Sequence, residues 1–191
     1  MAYGGRIRTF IAIDIEDPLL LSRIERLKDT IASTGVPMKL VETGNIHLTL
    51  RFIGEISRDR VDEIIESVLK PLRGEPFKIS LKGLGAFPSI NRPRVVWIGV
   101  EKGADRLKRL KEAIEDAMAG IGFPRDRPGF VPHITLARIK GSRNLPLLVR
   151  VLSEYQDYEI GETTVYNVRL KKSTLTRSGP IYETLWEVRL G

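Results

Sequence analysis

The stretch His47-Leu48-Thr49-Leu50 recurs later in the chain as His133-Ile134-Thr135-Leu136, and these two histidines are the only ones in 191 residues. Side chains alternate between the two faces of a β-strand. Each copy therefore predicts a strand that carries histidine and threonine on one face and two buried aliphatic residues on the other. Each strand would present an imidazole beside a hydroxyl.

Two such strands on a common cleft would surround a small anionic substrate with two titratable groups and two hydrogen-bond donors. This arrangement suits acid–base chemistry on a phosphodiester. The alternative interpretation is a duplicated core strand in which each histidine is a structural group. We favour the catalytic interpretation because both histidines of the chain stand two residues before a threonine, although short motifs also occur by chance.

The elements around the motifs are predicted to repeat, with His47 and His133 separated by 86 residues. The first half is predicted to contain a strand at 7–15, a helix from Asp17-Pro18 onward and the motif strand at 46–54. A second helix from Ser57 or Asp59 onward and a third strand at 77–85 follow. The second half is predicted to repeat this order at Arg94–Val100, 107–121, 130–139, about 144–155 and 158–172. A final strand, Tyr182–Leu190, has no counterpart in the first half.

This pattern predicts an α+β fold of two pseudo-symmetric lobes, produced by an internal duplication of a β-α-β-α-β unit. Antiparallel or mixed sheets would face each other across a central cleft. We expect one domain over residues 1–191, with repeat halves at approximately 7–87 and 93–173 and a C-terminal strand at 180–190. Because the two motifs belong to different lobes, neither alone would form a site.

The composition limits the chemistry that the chain can perform. Its formal charge of +7 favours polyanionic partners such as RNA or DNA. With no cysteine there is no disulfide, no thiolate nucleophile and no zinc site built on sulfur. The apolar run Phe10–Ile13 stops at Asp14 and is too short for a signal peptide or a membrane span, so we expect a cytoplasmic protein. Few amide residues and many charged ones are typical of proteins from hot environments.

Several stretches along nearly the whole chain resemble the two-histidine (2H) phosphoesterases. Within that superfamily, the resemblance is to the RNA 2′,3′-cyclic phosphodiesterases that were historically called 2′-5′ RNA ligases. The stretches that carry it are Arg8–Ile13, Asn45–Gly54, Gly85–Pro88, Arg92–Trp97, Phe130–Arg138, Ser173–Leu175 and Gly179–Tyr182. The two histidine motifs are diagnostic together and weak apart.

The resemblance implies an enzyme that needs neither metal nor cofactor and that opens an RNA 2′,3′-cyclic phosphate to a 2′-phosphomonoester. Some relatives also join or cleave 2′-5′ linkages reversibly. The resemblance further implies that His47 is the proton donor to the leaving 3′ oxygen and that His133 is the proton acceptor from water. The near symmetry of the two motifs leaves that assignment open from the residues alone.

The resemblance and the residue types also suggest how the phosphate is held. The hydroxyls of Thr49 and Thr135 lie on the same predicted faces as the histidines and can bind the non-bridging oxygens. Arg138 matches an arginine that contacts the phosphate in the family, and guanidinium suits that contact. Regular alternation would place Arg138 on the face opposite His133, so a bulge, a strong twist or a strand end is predicted between them.

A further set of residues could contact RNA or could have a purely structural role, which for Arg51 would be that of a solvated charge at a strand end. Arg51 shares the predicted face of His47, and Phe10 and Tyr182 could stack a terminal base, although both stand in apolar patterns typical of the core. The pair Lys171-Lys172 and the cluster 108–111 could follow an RNA backbone or lie on a solvated face. The expected partner is RNA with 2′,3′-cyclic phosphate or 2′-5′ linked ends, with tRNA halves as one candidate.

We expect a monomer that does not bind membranes, because a site formed within one duplicated chain needs no second copy. Two other function classes stay open. An RNA-end-binding module would grip a terminal phosphate without turnover and would survive the loss of either histidine. A metallohydrolase would be silenced by a chelator, but the sequence offers few clustered ligands beyond the two histidines.

Overall fold

The structure is a computed structural model that describes residues 5–191. The strands are β1 (Ile7–Asp14), β2 (Met38–Leu40), β3 (His47–Ile56), β4 (Phe77–Ser89), β5 (Arg92–Val100), β6 (His133–Ile139), β7 (Glu159–Val165), β8 (Asn167–Leu175) and β9 (Pro180–Arg189). The helices are α1 (Pro18–Ala32), α2 (Arg58–Ile64), α3 (Ala104–Gly120) and α4 (Leu145–Glu154). Short helical turns occupy Thr43–Asn45, of 3-10 type, and Ile65–Leu69, which continues α2 as a π-turn.

The predicted α+β class with antiparallel strands is confirmed. The strands form one curved path in the order β7-β4-β5-β6-β3-β1-β8-β9, and β2 pairs with β6 outside that path. Every pairing along the path is antiparallel. The order is symmetric about the centre, where the motif strands β3 and β6 lie side by side. On either side of them β1 corresponds to β5, β8 to β4 and β9 to β7.

Each predicted repeat contributes its third strand to the other side of the sheet. Strand β4 pairs with β5 and β7, and strand β8 pairs with β1 and β9. The lobes are therefore interleaved in sequence, because β4 comes from the first repeat half and lies beside elements of the second. The division into repeat halves at 7–87 and 93–173 stays a prediction.

The single strand predicted within 158–172 is wrong, because two strands occupy this region. The chain leaves β7 at Val165 and enters β8 at Asn167; β7 is one edge strand of the sheet, and β8 lies next to the edge strand on the opposite side. One residue, Tyr166, separates them, and no glycine or proline marks the break. In the sheet order β7 is the counterpart of β9. The sequence pattern predicted no counterpart for that final strand.

The core lies between one face of the sheet and the helices. Leu48 and Leu50 of β3 and Ile134 and Leu136 of β6 are at most 1% exposed and point toward this side. The apolar residues of α3 pack against β3 from there; they are Leu107, Leu110, Ile114 and Met118. Burial of the aliphatic residues fixes which face of each motif strand is left for histidine and threonine.

A buried ion cluster connects α3 to the first motif strand. Lys111 and Glu115 lie one turn apart on α3 and are 4% and 3% exposed, and Arg51 of β3 is 5% exposed. The Glu115 carboxylate binds Arg51 Nη1 at 2.6 Å and Lys111 Nζ at 2.8 Å. Lys111 also donates to the Leu50 carbonyl at 2.9 Å. The backbone N–H of Asp126 donates to Glu115 at 3.0 Å, so the cluster also holds the segment that leads toward the second motif.

Burial alone would raise the pKa of Glu115, but hydrogen bonds from Lys111, the Asp126 backbone and Arg51 hold it below its ordinary value. A carboxyl whose pKa is lower in the folded than in the unfolded protein stabilises the fold at pH values above its pKa in the unfolded protein. That stabilisation is lost as the pH falls through the folded pKa.

Substitution of Glu115 by Gln is expected to lower the free energy of unfolding at pH 7 by about 3–5 kcal/mol. Buried Arg51 loses its counter-charge, and Lys111 keeps only the more exposed carboxylate of Asp126, at 3.0 Å. Urea unfolding monitored by circular dichroism measures the change. The matched control is Glu112→Gln on the same helix, which removes an exposed pair with Arg125 and is expected to cost less than about 1 kcal/mol. Equal effects of the two substitutions, or a Glu115→Gln effect that does not shrink in strong acid, would contradict this account of the cluster.

Candidate active site

The two histidine motifs meet at the centre of the sheet. Leu48 of β3 is paired with Ile134 of β6 in antiparallel register, and both side chains are fully buried on the helix side. Continued by one residue in each direction, this register sets His47 across from Thr135 and Thr49 across from His133. The four side chains therefore share the open face of the sheet, and each is partly exposed there.

Each imidazole is oriented by a backbone carbonyl two residues before it. His47 Nδ1 lies 2.7 Å from the Asn45 carbonyl oxygen, and His133 Nδ1 lies 2.7 Å from the Val131 carbonyl oxygen. A carbonyl oxygen only accepts, so each Nδ1 carries a proton and donates it. Each Nε2 is then the nitrogen that can gain or lose a proton at the open face. His47 Nε2 also lies 3.1 Å from Thr49 Oγ1.

Two aromatic rings flank each histidine in similar arrangements. The His47 ring centroid lies 5.1 Å from that of Phe10 and 5.2 Å from that of Tyr182, which meets it at 90°. The His133 ring centroid lies 4.9 Å from that of Phe87, at 88°, and 5.9 Å from that of Trp97. These rings fix the imidazole planes and exclude water from their sides.

Burial lowers the pKa of both histidines below the ordinary value of 6.5. The carbonyl hydrogen bond opposes this shift at each ring. The charged neighbours differ. Asp14, paired with His47 across β1 and β3, raises the pKa of His47 while Lys171 lowers it, and Arg138 lowers the pKa of His133. The near-symmetric histidines thus lie in different fields, with a carboxylate beside the first and a guanidinium beside the second.

Both motif strands contain a bulge directly after the threonine. Along β6, Thr135 pairs with Trp97 and Ala137 with Val96, so Leu136 is the extra residue. Leu136 and Ala137 are both buried, and Arg138 returns to the exposed face of His133. Its charge acts on both His133 and Tyr182, so it lies near each of them. A bulge, one of the irregularities predicted between His133 and Arg138, is therefore present in β6.

The corresponding bulge in β3 changes the prediction for Arg51. Thr49 pairs with Ala12 and Arg51 with Ile11, which leaves Leu50 as the extra residue. The expectation that Arg51 shares the face of His47 is wrong. The bulge directs the Arg51 side chain toward α3, where it joins the buried ion cluster. A residue engaged there has no access to RNA. Phe52 lies on the open face instead.

The two aromatic candidates for RNA contact differ in exposure. Phe10 is 3% exposed and packs against His47 and Tyr182, so it supports the imidazole and offers no free face to a base; a stacking role for it is wrong. Tyr182 is partly exposed and stays a candidate. Burial raises the pKa of its hydroxyl, while the charges of Arg138 and Arg8 oppose that shift.

The lysines singled out in the sequence are mostly engaged with carboxylates or buried. Lys171 is 7% exposed and binds Asp14 at 2.5 Å, and Lys172 binds Glu183 at 2.8 Å. Lys111 belongs to the buried cluster on α3. Asp14, which ends β1, is not predicted from the sequence as a site residue, because only the pairing of β1 with β3 brings it beside His47.

One sizeable cavity of the described chain is separate from the histidines. It has a volume of about 570 Å³ and is bordered by Asp14, Glu16, Asp17 and Glu162, with Lys78 and Arg169 among its cations. Four carboxylates make it a poor site for an RNA phosphate, so the open sheet face is the better candidate. Within residues 5–191, no group of three or more histidine and carboxylate side chains is placed to hold a metal ion. No helix in this part of the chain is long and apolar enough to span a membrane.

Comparison with known proteins gives consistent matches. The family model of the 2′-5′ RNA ligase superfamily matches residues 17–171. An RNA 2′,3′-cyclic phosphodiesterase of Aeropyrum pernix is 54% identical over 170 residues, which cover 89% of this chain and 96% of that protein. Among solved structures, TT0787 of Thermus thermophilus has a TM-score of 0.78 at 27% identity and covers 96% of this chain and 97% of that one. Apo LigT of E. coli has a TM-score of 0.77 at 24% identity, with 97% and 98% covered, which supports the fold.

Both imidazoles are expected to titrate below pH 6.5 in the folded protein without substrate, because burial disfavours their charged forms. Both would then be neutral above pH 7. Proton NMR of the imidazole ring protons measures the two titrations directly, and the variants His47→Ala and His133→Ala assign them. Titration of either ring above pH 6.5 would show that its charged form is stabilised and would contradict the environment described above.

Proposed function

This chain belongs to the 2′-5′ RNA ligase superfamily, and from that premise we propose that it is an RNA 2′,3′-cyclic phosphodiesterase. It hydrolyses a terminal 2′,3′-cyclic phosphate to a 2′-phosphate by histidine acid–base catalysis. The observation that carries the proposal is the placement of both His-x-Thr motifs on one open face, with each Nδ1 proton held by a carbonyl and each Nε2 available. The 54% identity to a phosphodiesterase over nearly the whole chain supports the substrate class.

In the proposed reaction, His133 Nε2 accepts a proton from water as the water oxygen attacks phosphorus. The bond from phosphorus to the 3′ oxygen breaks, and His47 Nε2 donates a proton to that oxygen. Thr49 and Thr135 donate hydrogen bonds to the non-bridging oxygens, and Arg138 supplies positive charge beside them. The same steps with a ribose 5′-hydroxyl in place of water would form a 2′-5′ linkage, so reversible ligation follows from the same site.

The assignment of His47 as acid rests on the charges around the two rings. An acid must hold its proton until the leaving oxygen takes it, and a neighbouring carboxylate favours the protonated form. Asp14 provides that carboxylate at His47, whereas Arg138 at His133 favours the neutral form that a base requires. The negative charge of the bound phosphate would raise the pKa of both rings and restore the proton of His47.

RNA with 2′,3′-cyclic phosphate or 2′-5′ linked ends is the proposed partner, and tRNA halves are one source of such ends. The site is built from strands of one chain, which supports a monomer as the active form. The sequence-based expectation of a cytoplasmic protein stays a prediction.

Incubation of the protein with a short RNA that ends in a 2′,3′-cyclic phosphate, in excess chelator, is expected to give a 2′-phosphate terminus. His47→Ala and His133→Ala are each expected to lower kcat by about 10²–10⁴ with little change in melting temperature, because each removes one proton-transfer group from a partly exposed position. Chromatography with phosphatase and nuclease mapping identifies the terminus.

A 3′-phosphate product, loss of activity in chelator, or substantial turnover by either alanine variant would each contradict the mechanism. Tight RNA binding without turnover by the native protein would instead indicate an RNA-end-binding module. Circular dichroism of both variants serves as the control for folding.

The substitution Asp14→Asn tests which histidine is the acid. Removal of the carboxylate lowers the pKa of His47, so less of the enzyme keeps a protonated His47 at alkaline pH. If His47 is the acid, kcat/KM is expected to fall roughly three- to tenfold on the alkaline side and to stay unchanged on the acidic side. Glu16→Gln is the matched control, since Glu16 shares Arg169 with Asp14 but is exposed and does not face His47.

The opposite assignment gives the opposite result. If His47 were the base, a lower pKa would increase its neutral fraction in acid, so kcat/KM of Asp14→Asn would rise on the acidic side and stay unchanged on the alkaline side. A pH–rate profile from pH 4.5 to 9 for the native protein and both variants separates these outcomes.

A further inference from the structure

The residue two places before each motif histidine has the same backbone role but a different side chain. The Asn45 carbonyl accepts a hydrogen bond from His47 Nδ1, and the Val131 carbonyl accepts one from His133 Nδ1, both at 2.7 Å. The Val131 side chain is 44% exposed and, as a hydrocarbon, forms no hydrogen bond. Asn45 carries an amide, so only the first motif can attach this position to another part of the chain through a side chain.

The Asn45 amide binds the hairpin formed by β8 and β9. Asn45 Nδ2 donates to the Pro180 carbonyl at 3.1 Å. Pro180 begins β9, and two residues later the ring of Tyr182 meets the His47 ring edge-on, with 5.2 Å between the centroids. Asn45 therefore contacts the imidazole through its carbonyl, and through its side chain it holds the strand that carries a flanking ring.

The short turn Thr43–Asn45 is anchored on its other sides as well. Thr43 Oγ1 donates to Glu25 of α1 at 2.6 Å, and the Asn45 backbone N–H donates to the Glu42 carbonyl at 2.8 Å. The Ile46 carbonyl already accepts from Ile15 of the β1 end at 3.1 Å. The Asn45 amide adds an anchor on the hairpin side and so fixes the peptide plane whose carbonyl points at His47.

We propose that the Asn45 side chain is a positioning group for His47. By binding the Pro180 carbonyl, it fixes the peptide whose own carbonyl keeps a proton on His47 Nδ1. Asn45 does not touch the reacting atoms, so it acts through the imidazole. Its effect on rate rests on the proposed phosphodiesterase function, whereas its effect on the ring is measurable without substrate.

The carbonyl acts on both protonation states of His47. In the neutral ring it selects the tautomer with the proton on Nδ1, and Nε2 then accepts from Thr49 Oγ1, which lies 3.1 Å away. In the charged ring it accepts one of the two protons and directs the other, on Nε2, toward the open face. A displaced carbonyl would let the neutral ring move its proton to Nε2 and would misalign the charged ring with the leaving oxygen.

The test is Asn45→Ala, which retains the backbone carbonyl and removes the amide. Nitrogen-15 NMR of the imidazole rings above pH 7 shows which nitrogen carries the proton. In the native protein both neutral rings are expected to be protonated at Nδ1. In Asn45→Ala, His47 is expected to exchange between its two tautomers, while His133 stays protonated at Nδ1.

The same variant is expected to open an RNA 2′,3′-cyclic phosphate with a kcat about three- to tenfold lower, the effect of one hydrogen bond. KM is expected to change less than about twofold, because Asn45 positions a proton carrier and does not bind the substrate. Steady-state kinetics of the native protein and the variant measure both constants.

The matched control is Asn144→Gly at the start of α4. Asn144 Nδ2 makes the same type of bond, to the Thr34 carbonyl at 3.1 Å, and glycine suits the φ of 59° at this position. The substitution is expected to change neither the tautomer of His47 nor kcat. Melting temperatures of both variants show how far each substitution destabilises the fold.

An unchanged His47 tautomer in Asn45→Ala would overturn the proposal. Tautomer changes at both histidines, or equal losses of kcat in Asn45→Ala and Asn144→Gly, would show that Asn45 is only structural and would overturn it too. Failure of the native protein to open any cyclic phosphate would instead refute the phosphodiesterase function, and the tautomer measurement would then decide the role of Asn45 separately.

Discussion

The pairing of Leu48 with Ile134 is the constraint on which the site depends. Within residues 5–191 it is the one register pair that joins β3 to β6, and therefore the two sides of the sheet. A slip of one residue would turn every side chain of a strand to the opposite face. Such a slip would place histidines in the core and aliphatics in solvent. Burial of Leu48 and Ile134 therefore stabilises the fold and, by the same contact, sets the two imidazoles beside each other's threonines.

The bulge in β3 depends on a second interaction, the ion cluster of α3. A bulged residue leaves a backbone carbonyl outside the regular ladder, and Lys111 donates to the carbonyl of Leu50 at 2.9 Å. Glu115 balances Lys111 and Arg51 and also accepts from the Asp126 backbone. Asp126 precedes Val131, whose carbonyl orients His133. One helix thus holds the strand of the first histidine and the segment that leads to the second.

The sequence predicts those parts of the molecule that follow from local periodicity. Alternation identified the motif strands and their faces, and helical spacing identified the four helices. The order of strands did not follow, because pairing of β4 with β5 and of β8 with β1 depends on contacts distant in sequence. The bulge at Leu50 has no glycine or other local signal, so regular alternation wrongly placed Arg51 on the face of His47 and left Phe52 unnoticed. The position of Asp14 beside His47 was not predicted, because it follows only from the pairing of β1 with β3.

A duplicated unit supplies two nearly equivalent imidazoles, yet opening a cyclic phosphate needs one that gives a proton and one that takes a proton. The carbonyl hydrogen bonds of 2.7 Å and the flanking aromatic pairs are alike at both rings, so they do not give the reaction a direction. The direction must come from residues that differ between the lobes. In the proposed mechanism, Asp14 favours a protonated His47 and Arg138 favours a neutral His133, against the lowering of both pKa values by burial. The same divergence places a phenyl ring at Phe52 where the other lobe has Arg138. In the proposed mechanism, the symmetric backbone provides the pair of proton carriers, and the few side chains that differ between the lobes give each of them its role.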